Sequence, residues 1–331
     1  MKLGTLTIKN NLFLAPLKEV TTAPYRRFCR KFYDIGLVCV PMLYTKRIET
    51  DPESISFDLY KIEEERPLSV QLIGGDPNAL KISIDFLESY KFDVLDINAG
   101  CPSRRSINAK EGGYLLNDLV KLQKIIKIAV KYSSRPISLK IRTGVDNPNK
   151  IEKMVKLINN SGLDFLIVHG RTVKDRFNDS KLNLNYIKQV KEKISIPVIG
   201  NGDISNQFTA KRFLDSTGVD ALMIGRGTIG NPEIFNQIDI YLKNNILISN
   251  NNDIKKFKRK IELYEKFIDE FIEGNKLINF SLEEYKFIEL KRNTIWLSKN
   301  IKDSSIIRTK LSKTKNLISL KKELQYIFDL D

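Results

Sequence analysis

Eight short apolar runs, separated by longer amphipathic stretches, fill residues 12 to 243, and this alternation limits the chain to few architectures. The runs are Leu12–Pro16, Leu37–Pro41, Leu68–Ile73, Val94–Asn98, Ile137–Ile141, Phe165–His169, Pro197–Asn201 and Ala221–Gly225. Such runs bounded by turn residues read as buried strands of a parallel sheet. Helical patterns lie between most of them: Pro24–Tyr33, Pro77–Tyr90, Asp118–Tyr132, Lys150–Asn160, Leu184–Lys193, Asn206–Ser216 and Pro232–Leu242. Eight strand–helix units are the number that closes a sheet on itself, so the expected fold is an α/β TIM (β/α)8 barrel. The connection Met42–Glu65 reads as loop with a short helix. The competing architecture is an open, doubly wound sheet, which carries a glycine-rich phosphate turn after its first strand. Here the first run ends in Ala15-Pro16-Leu17-Lys18, and the glycines cluster after the last two strands, at Gly200, Gly202, Gly225, Gly227 and Gly230. Barrels commonly hold phosphate at that place.

Beyond the last unit the composition changes. The run Ser249–Asp253 is polar, and Asn252 or Asp253 is suited to cap a helix. From Ile254 to Leu330 the pattern is helical, with Ile261, Tyr264, Phe267, Ile268 and Phe271 spaced three and four apart. Two domains are expected, a barrel over residues 1–245 and an all-helical domain over residues 254–331. The net charge of +15 suits a polyanionic partner such as RNA or DNA, and equally a lysine-rich solvated surface. Residues 253–331 carry 18 Lys and Arg against 13 Asp and Glu, so a basic groove would have to be shared between the domains. No apolar run approaches the ~20 residues that span a bilayer, and Met1–Asn10 lacks the layout of a signal peptide. The expectation is a cytoplasmic protein without a membrane partner. Three cysteines without ligand spacing and a single histidine, His169, predict neither a disulfide framework nor a metal site.

In a barrel, chemistry sits at the C-terminal ends of the strands. Those ends read Pro16, Gln71, Asn98, Cys101, Lys140, Arg142, His169, Asn201, Asp203 and Arg226. Any one could be a solvated strand-end residue; polar ends on strand after strand favour a site. Gln71 can donate and accept hydrogen bonds to the edge of a flavin or a pyrimidine. Lys140 lies on an otherwise apolar strand, where it would either stabilise an anionic reduced flavin or reach out to water. Asn201-Gly202-Asp203 and Gly225-Arg226-Gly227 close neighbouring strands and could bring backbone N–H groups and a cation to a monophosphate. Ordinary turns, or a site for a phosphorylated sugar, would use the same glycines. Cys101, in Asn98-Ala99-Gly100-Cys101-Pro102, is placed at the mouth as a general acid or nucleophile. Cys29 falls in a helix and Cys39 inside a strand, both structural positions.

Six stretches resemble the tRNA-dihydrouridine synthase (Dus) family, in family order over most of residues 12–240. They are Leu14-Ala15-Pro16 with Val20-Thr21 and Pro24-Tyr25-Arg26; Asp96–Ser103 with Gly112-Gly113-Tyr114-Leu115-Leu116; Leu139-Lys140-Ile141-Arg142-Thr143-Gly144; His169-Gly170-Arg171-Thr172; Pro197–Ile204; and Met223–Gly227 with Gly230–Phe235. The resemblance implies an FMN touched by Pro16, Gln71, Lys140 and His169, with its phosphate on Asn201, Gly202, Asp203, Gly225 and Arg226. It implies NADPH as the reductant of the flavin, and tRNA as the partner of a monomeric enzyme. Hydride would pass to C6 of a flipped-out uracil and Cys101 would protonate C5, with Asn98, Arg142 and Arg176 holding the base. Two places depart from the family pattern. Leu17-Lys18-Glu19 replaces the usual Met, small residue and Gly, and Asp175–Asp179 keeps only the aromatic Phe177. Two other readings compete: an FMN barrel oxidoreductase acting on a small molecule, which leaves the basic charge and helical tail unused, and a non-catalytic tRNA-binding protein, which leaves Cys101 and the flavin set unused.

Overall fold

The computed structural model describes residues 1–60, 63–249, 253–275, 281–299 and 301–329. All eight expected strands are present: β1 (Leu12–Leu14), β2 (Leu37–Cys39), β3 (Leu68–Ile73), β4 (Val94–Ala99), β5 (Ile137–Arg142), β6 (Phe165–His169), β7 (Val198–Asn201) and β8 (Ala221–Ile224). Each pairs in parallel with the next, and β8 pairs with β1 through Leu222↔Leu12, which closes the sheet. The fold is therefore a TIM barrel, as the alternation implies. An antiparallel hairpin, Lys2–Leu3 with Leu6–Thr7, precedes it.

Successive residues of a strand face opposite sides, so each strand splits into an interior and an exterior set. Phe13, Leu37, Cys39, Val94, Phe165, Ile167, Ile199, Ala221 and Met223 form an apolar interior layer, to which the hairpin region adds Leu3 and Ile8. The exterior set, including Leu14, Val38, Val70, Leu95, Leu139, Leu166 and Leu222, packs against the helices. Above the interior apolar layer the same parity continues as Gln71, Asp96, Asn98, Ser138, Lys140, His169 and Asn201. These side chains have no apolar slot to enter and are left to fill the barrel mouth.

The principal helices are α1 (Ala23–Phe32), α2 (Pro77–Leu87), α3 (Leu119–Tyr132), α4 (Ile151–Asn159), α5 (Leu184–Lys193), α6 (Gln207–Thr217) and α7 (Ile234–Asn244), followed by α8 (Ile254–Gly274), α9 (Leu282–Leu297), α10 (Ser304–Lys313) and α11 (Leu317–Phe328). The second unit holds more helix than the loop with one short helix expected there: Thr45–Thr50, Pro52–Ile55, Ser56–Leu59 and Glu63–Glu65 are successive helical turns. Pro52 keeps them separate, because the residue before a proline is pushed out of the α region, and Asp51 sits at φ −152°. Of the two cap candidates ahead of α8, Asp253 accepts the Lys256 amide at 2.7 Å; Asn252 lies outside the described residues, as does Leu330.

The tail helices pack directly on the barrel. Tyr264 of α8 meets Phe28 of α1 edge-on at 5.1 Å, and Arg27 lies 4.5 Å over the Phe267 ring. The Tyr264 hydroxyl donates to Glu289 of α9 at 2.7 Å and accepts from Asn293 at 2.8 Å. One apolar core thus runs from the barrel's outer layer through Ile261, Tyr264, Ile268 and Phe271 into Leu290 and Leu320. A fully buried ion pair ties α1 to the second unit. Arg26 donates through Nε to Glu65 at 2.6 Å, and through its other nitrogens to the carbonyls of Thr21 and Tyr60. Replacing Arg26 removes the buried cation together with its bonds to the Thr21 and Tyr60 carbonyls. Arg26→Leu is therefore expected to lower unfolding stability by about 3–5 kcal/mol in urea titration; a loss below about 1 kcal/mol would show that the pair is not the tie described.

Candidate active site

The barrel mouth opens into a cavity of about 680 Å³. Its lining includes Pro16, Gln71, Asn98, Cys101, Lys140, Arg142, His169, Asn201, Gly202, Asp203, Gly225 and Arg226. The fold brings these expected residues together from seven strands or the loops after them. Arg176 is the exception: its side chain is exposed and not part of the lining. Its contribution is a backbone carbonyl, which accepts from Arg142 Nη1 at 2.7 Å.

The loop after β4 is held by its own strand. Asn98 Oδ1 accepts from the N–H of Gly100 at 3.0 Å and of Cys101 at 2.9 Å. The Cys101 carbonyl accepts from Gly113, and a Cβ at Gly113 would stand 2.8 Å from that oxygen, so only glycine allows the approach. Ser106 donates to the Cys101 sulfur at 3.6 Å. Cys29 and Cys39 are fully buried, and burial pushes both thiols far above the ordinary range. Cys101 is the cysteine that reaches the cavity.

The electrostatics of the mouth follow from enclosing cations with few anions. Lys140 donates to Asn201 Oδ1 at 3.0 Å, and Asn201 in turn donates to the Met223 carbonyl at 2.8 Å. Burial, with Arg142 beside it, lowers the ammonium to about 8. Arg142 is fixed by donating to the carbonyls of Gly100, Thr172 and Arg176. Burial, then the charges of Arg142 and Lys140, hold His169 well below the usual imidazole range. Its Nδ1 is buried and meets no hydrogen-bond partner among the described residues.

The sequence reading passed over several residues of the site. Asp96 is fully buried, takes Gln71 Nε2 at 2.6 Å and Ser138 Oγ at 2.7 Å, and is raised by burial to about 6. It lies two residues before Asn98, on the interior face, so the strand period would have marked it. Arg171 is also fully buried. It donates to Asp203 from two nitrogens, and Asp203 accepts from Arg226 at 3.0 Å. Phe177, 53% exposed, lies 5.4 Å below the Arg142 guanidinium and 5.0 Å below that of Arg226. Lys299 reaches the cavity rim from beyond α9, where the Trp296 carbonyl packs against Gly230 so closely that a Cβ there would stand 2.4 Å away. No local signal marks Lys299. Lys18, in the departing segment after β1, lines the cavity beside an exposed pairing with Glu19.

Across residues 13–330 the chain matches the family model described as dihydrouridine synthase (Dus). The chain belongs to the dihydrouridine synthase family. As a Dus-family oxidoreductase it is 36% identical over 244 residues to "tRNA-dihydrouridine synthase B" of Pseudomonas aeruginosa, covering 73% of each chain. It is 36% identical over 251 residues to the protein of that name from Pasteurella multocida, covering 75% of this chain and 74% of that one. Similarity to a "Probable tRNA-dihydrouridine synthase" of Rickettsia prowazekii extends over 98% of this chain and 96% of that one at 29% identity, so it includes the helical tail. Among solved structures, morphinone reductase in complex with tetrahydroNAD superposes with a TM-score of 0.52 over 72% of this chain and 89% of its own, at 12% identity. Histamine dehydrogenase from Rhizobium sp. 4-9 gives 0.58 over 81% and 50%, also at 12%. Those likenesses concern the barrel fold. In this Dus-family chain the single histidine makes one prediction easy to read. The imidazole NMR signal of His169 is expected to stay that of the neutral ring from pH 8 down through 6, the reverse of an exposed histidine; a midpoint at or above the ordinary value would contradict the enclosed site described.

Proposed function

We propose that this chain reduces uridines of tRNA to 5,6-dihydrouridine, with FMN as cofactor and NADPH as reductant. One observation carries the reading. Cys101, the cavity's thiol, follows β4, while the turns Asn201–Asp203 and Gly225–Arg226 follow β7 and β8 on the other side of the same mouth.

The residues present fit a flavin mononucleotide. The buried Nδ1 of His169 lacks a partner among the described residues, and the Lys140 ammonium has donors beyond the one given to Asn201. Gly202 sits at φ +139°, a backbone conformation that side-chain-bearing residues rarely adopt, so a substitution there is strained. Gly225 is different: a Cβ there would meet only ordinary contacts at 3.5 and 3.6 Å, so packing does not require glycine and a side chain would take up room at the cavity wall. These two turns, with Arg226, would hold the phosphate; Pro16, Gln71, Lys140 and His169 would hold the ring system. When bound, the flavin supplies the hydride that adds to C6 of uracil.

The chain's own groups do the rest. The Cys101 thiol gives its proton to C5 and recovers one from solvent, so hydride and proton together saturate the C5–C6 bond. Arg142, locked by three carbonyls, and Asn98 would orient the base; with its side chain outside the lining, Arg176 would serve through its carbonyl. A uracil inside a folded RNA cannot reach a barrel mouth, so it must be swung out of its stack. Residues 1–245 would form the catalytic barrel and residues 254–331 the tRNA-binding domain, with Lys299 standing where the two meet at the rim. The basic surface would grip the phosphate backbone.

The test is mass spectrometry of nucleosides from unmodified tRNA incubated with the protein, FMN and NADPH. Uridine should gain two hydrogens, and only when NADPH is present; no gain by an FMN-loaded protein would refute the reading. Cys101→Ala should keep FMN, seen by absorbance, and lose product formation by ~10²-fold or more. Lys140 generates a pH prediction. In the free protein its ammonium loses the proton through about pH 8, and an anionic cofactor binds the charged form better. FMN affinity should therefore fall as pH rises above that value, and Lys140→Met should flatten the dependence. A wild-type affinity that does not change from pH 7 to 9.5 would remove Lys140 from the cofactor contact.

A further inference from the structure

Three strands place Gln71, Asp96 and Ser138 side by side in one interior layer, through the registers Gln71↔Asp96 and Asp96↔Ser138. All three are buried. Asp96 Oδ1 accepts from Ser138 at 2.7 Å and Oδ2 from Gln71 Nε2 at 2.6 Å. Gln71 Oε1 accepts from Asn98 Nδ2 at 2.8 Å, and Asn98 Oδ1 accepts from the N–H groups of Gly100 and Cys101. The chain of bonds has a direction, and each link sets the next. A carboxylate can only accept, so Gln71 must turn its NH₂ inward and its carbonyl towards Asn98. Asn98 must then turn its NH₂ to Gln71, which leaves its carbonyl oxygen for the Cys101 loop.

We propose that Asp96 is a positioning residue for the proton donor: as a fixed acceptor it sets the orientation of the Gln71 and Asn98 amides and thereby holds the loop that carries Cys101. The consequence for catalysis rests on the reading of Cys101 as proton donor; the consequence for the loop does not. Ser138, Gln71 and Asn98 can each both donate and accept, so the direction is set at the two ends: by the Asp96 carboxylate, which only accepts, and by the Gly100 and Cys101 N–H groups, which only donate.

The experiment pairs two readouts in the FMN-loaded protein: hydrogen exchange of the Gly100 and Cys101 amides, and kcat and KM for tRNA. Asp96→Leu should speed exchange at these amides and lower kcat, each by roughly 10- to 100-fold, the scale of one buried hydrogen bond. Asp96→Asn can still accept from Gln71 and donate to Ser138, so it should stay near the parent in both. Asn98→Asp turns an acceptor on the Gln71 carbonyl and should be impaired. Adding Asp96→Asn to Asn98→Asp lets Gln71 reverse, and amide protection should return. This second pair keeps the test decisive if Asp96→Leu does not fold. The proposal is overturned if Asp96→Leu matches the parent, if Asp96→Asn is as impaired as Asp96→Leu, or if the double variant recovers no protection. If the exchange pattern holds while the parent makes no dihydrouridine, the positioning role stands and the assigned reaction fails.

Discussion

Closure of a parallel sheet on itself is the constraint from which the rest follows. Once Leu222 pairs with Leu12 and Val38 with Leu68, interior side chains point into a closed barrel that side chains fill below its mouth. The lower part of that space is apolar, from Phe13 and Leu37 to Phe165 and Ala221. Polar residues of the same parity can therefore only collect at the open end. The site is the upper part of the core, made of the positions where apolar packing stops.

That origin explains the mouth's electrostatics. Lys140, Arg142, Arg171 and Arg226 converge, with Asp203 pairing Arg171 and Arg226, Asp175 near Arg142, and Asp96 near Lys140. The excess positive charge is expressed as a weakened Lys140 ammonium and a histidine that resists protonation. Such a mouth stabilises an anion without needing to move, because its donors are already held by carbonyls and amides. The tail completes the rim, since α9 docks its end under Gly230 and brings Lys299 alongside the turn that carries Arg226.

Much of this was legible in the chain. Eight apolar runs gave eight strands, and the family motifs cover most of the lining, though not Gln71, Phe177 or Lys299. The reading fell short where information is not local. Met42–Glu65 reads as loop with a short helix because its helical turns are too short to show a period, and they are stabilised by distant partners such as the Arg26–Glu65 pair. Arg176 was named for its charge, whereas the structure uses its carbonyl; a backbone role leaves no mark on side-chain type. Asp96 and Arg171 lie within the family motifs, and only their parity and spatial neighbours mark them as lying under the site.

By itself the sequence determined the strand count, the interior parity and the residues available at each strand end, because a period of two and a run of eight units are properties of order along the chain. Tertiary structure alone decided who meets whom across the mouth: Arg171 with Asp203, Phe177 beneath two guanidinium groups, Lys299 at the rim, and Asp96 at the head of a directed line of amides ending on Cys101. Those pairings depend on closure, shear and the docking of a separate helical element, and distances through space between residues far apart in sequence are not written in local pattern.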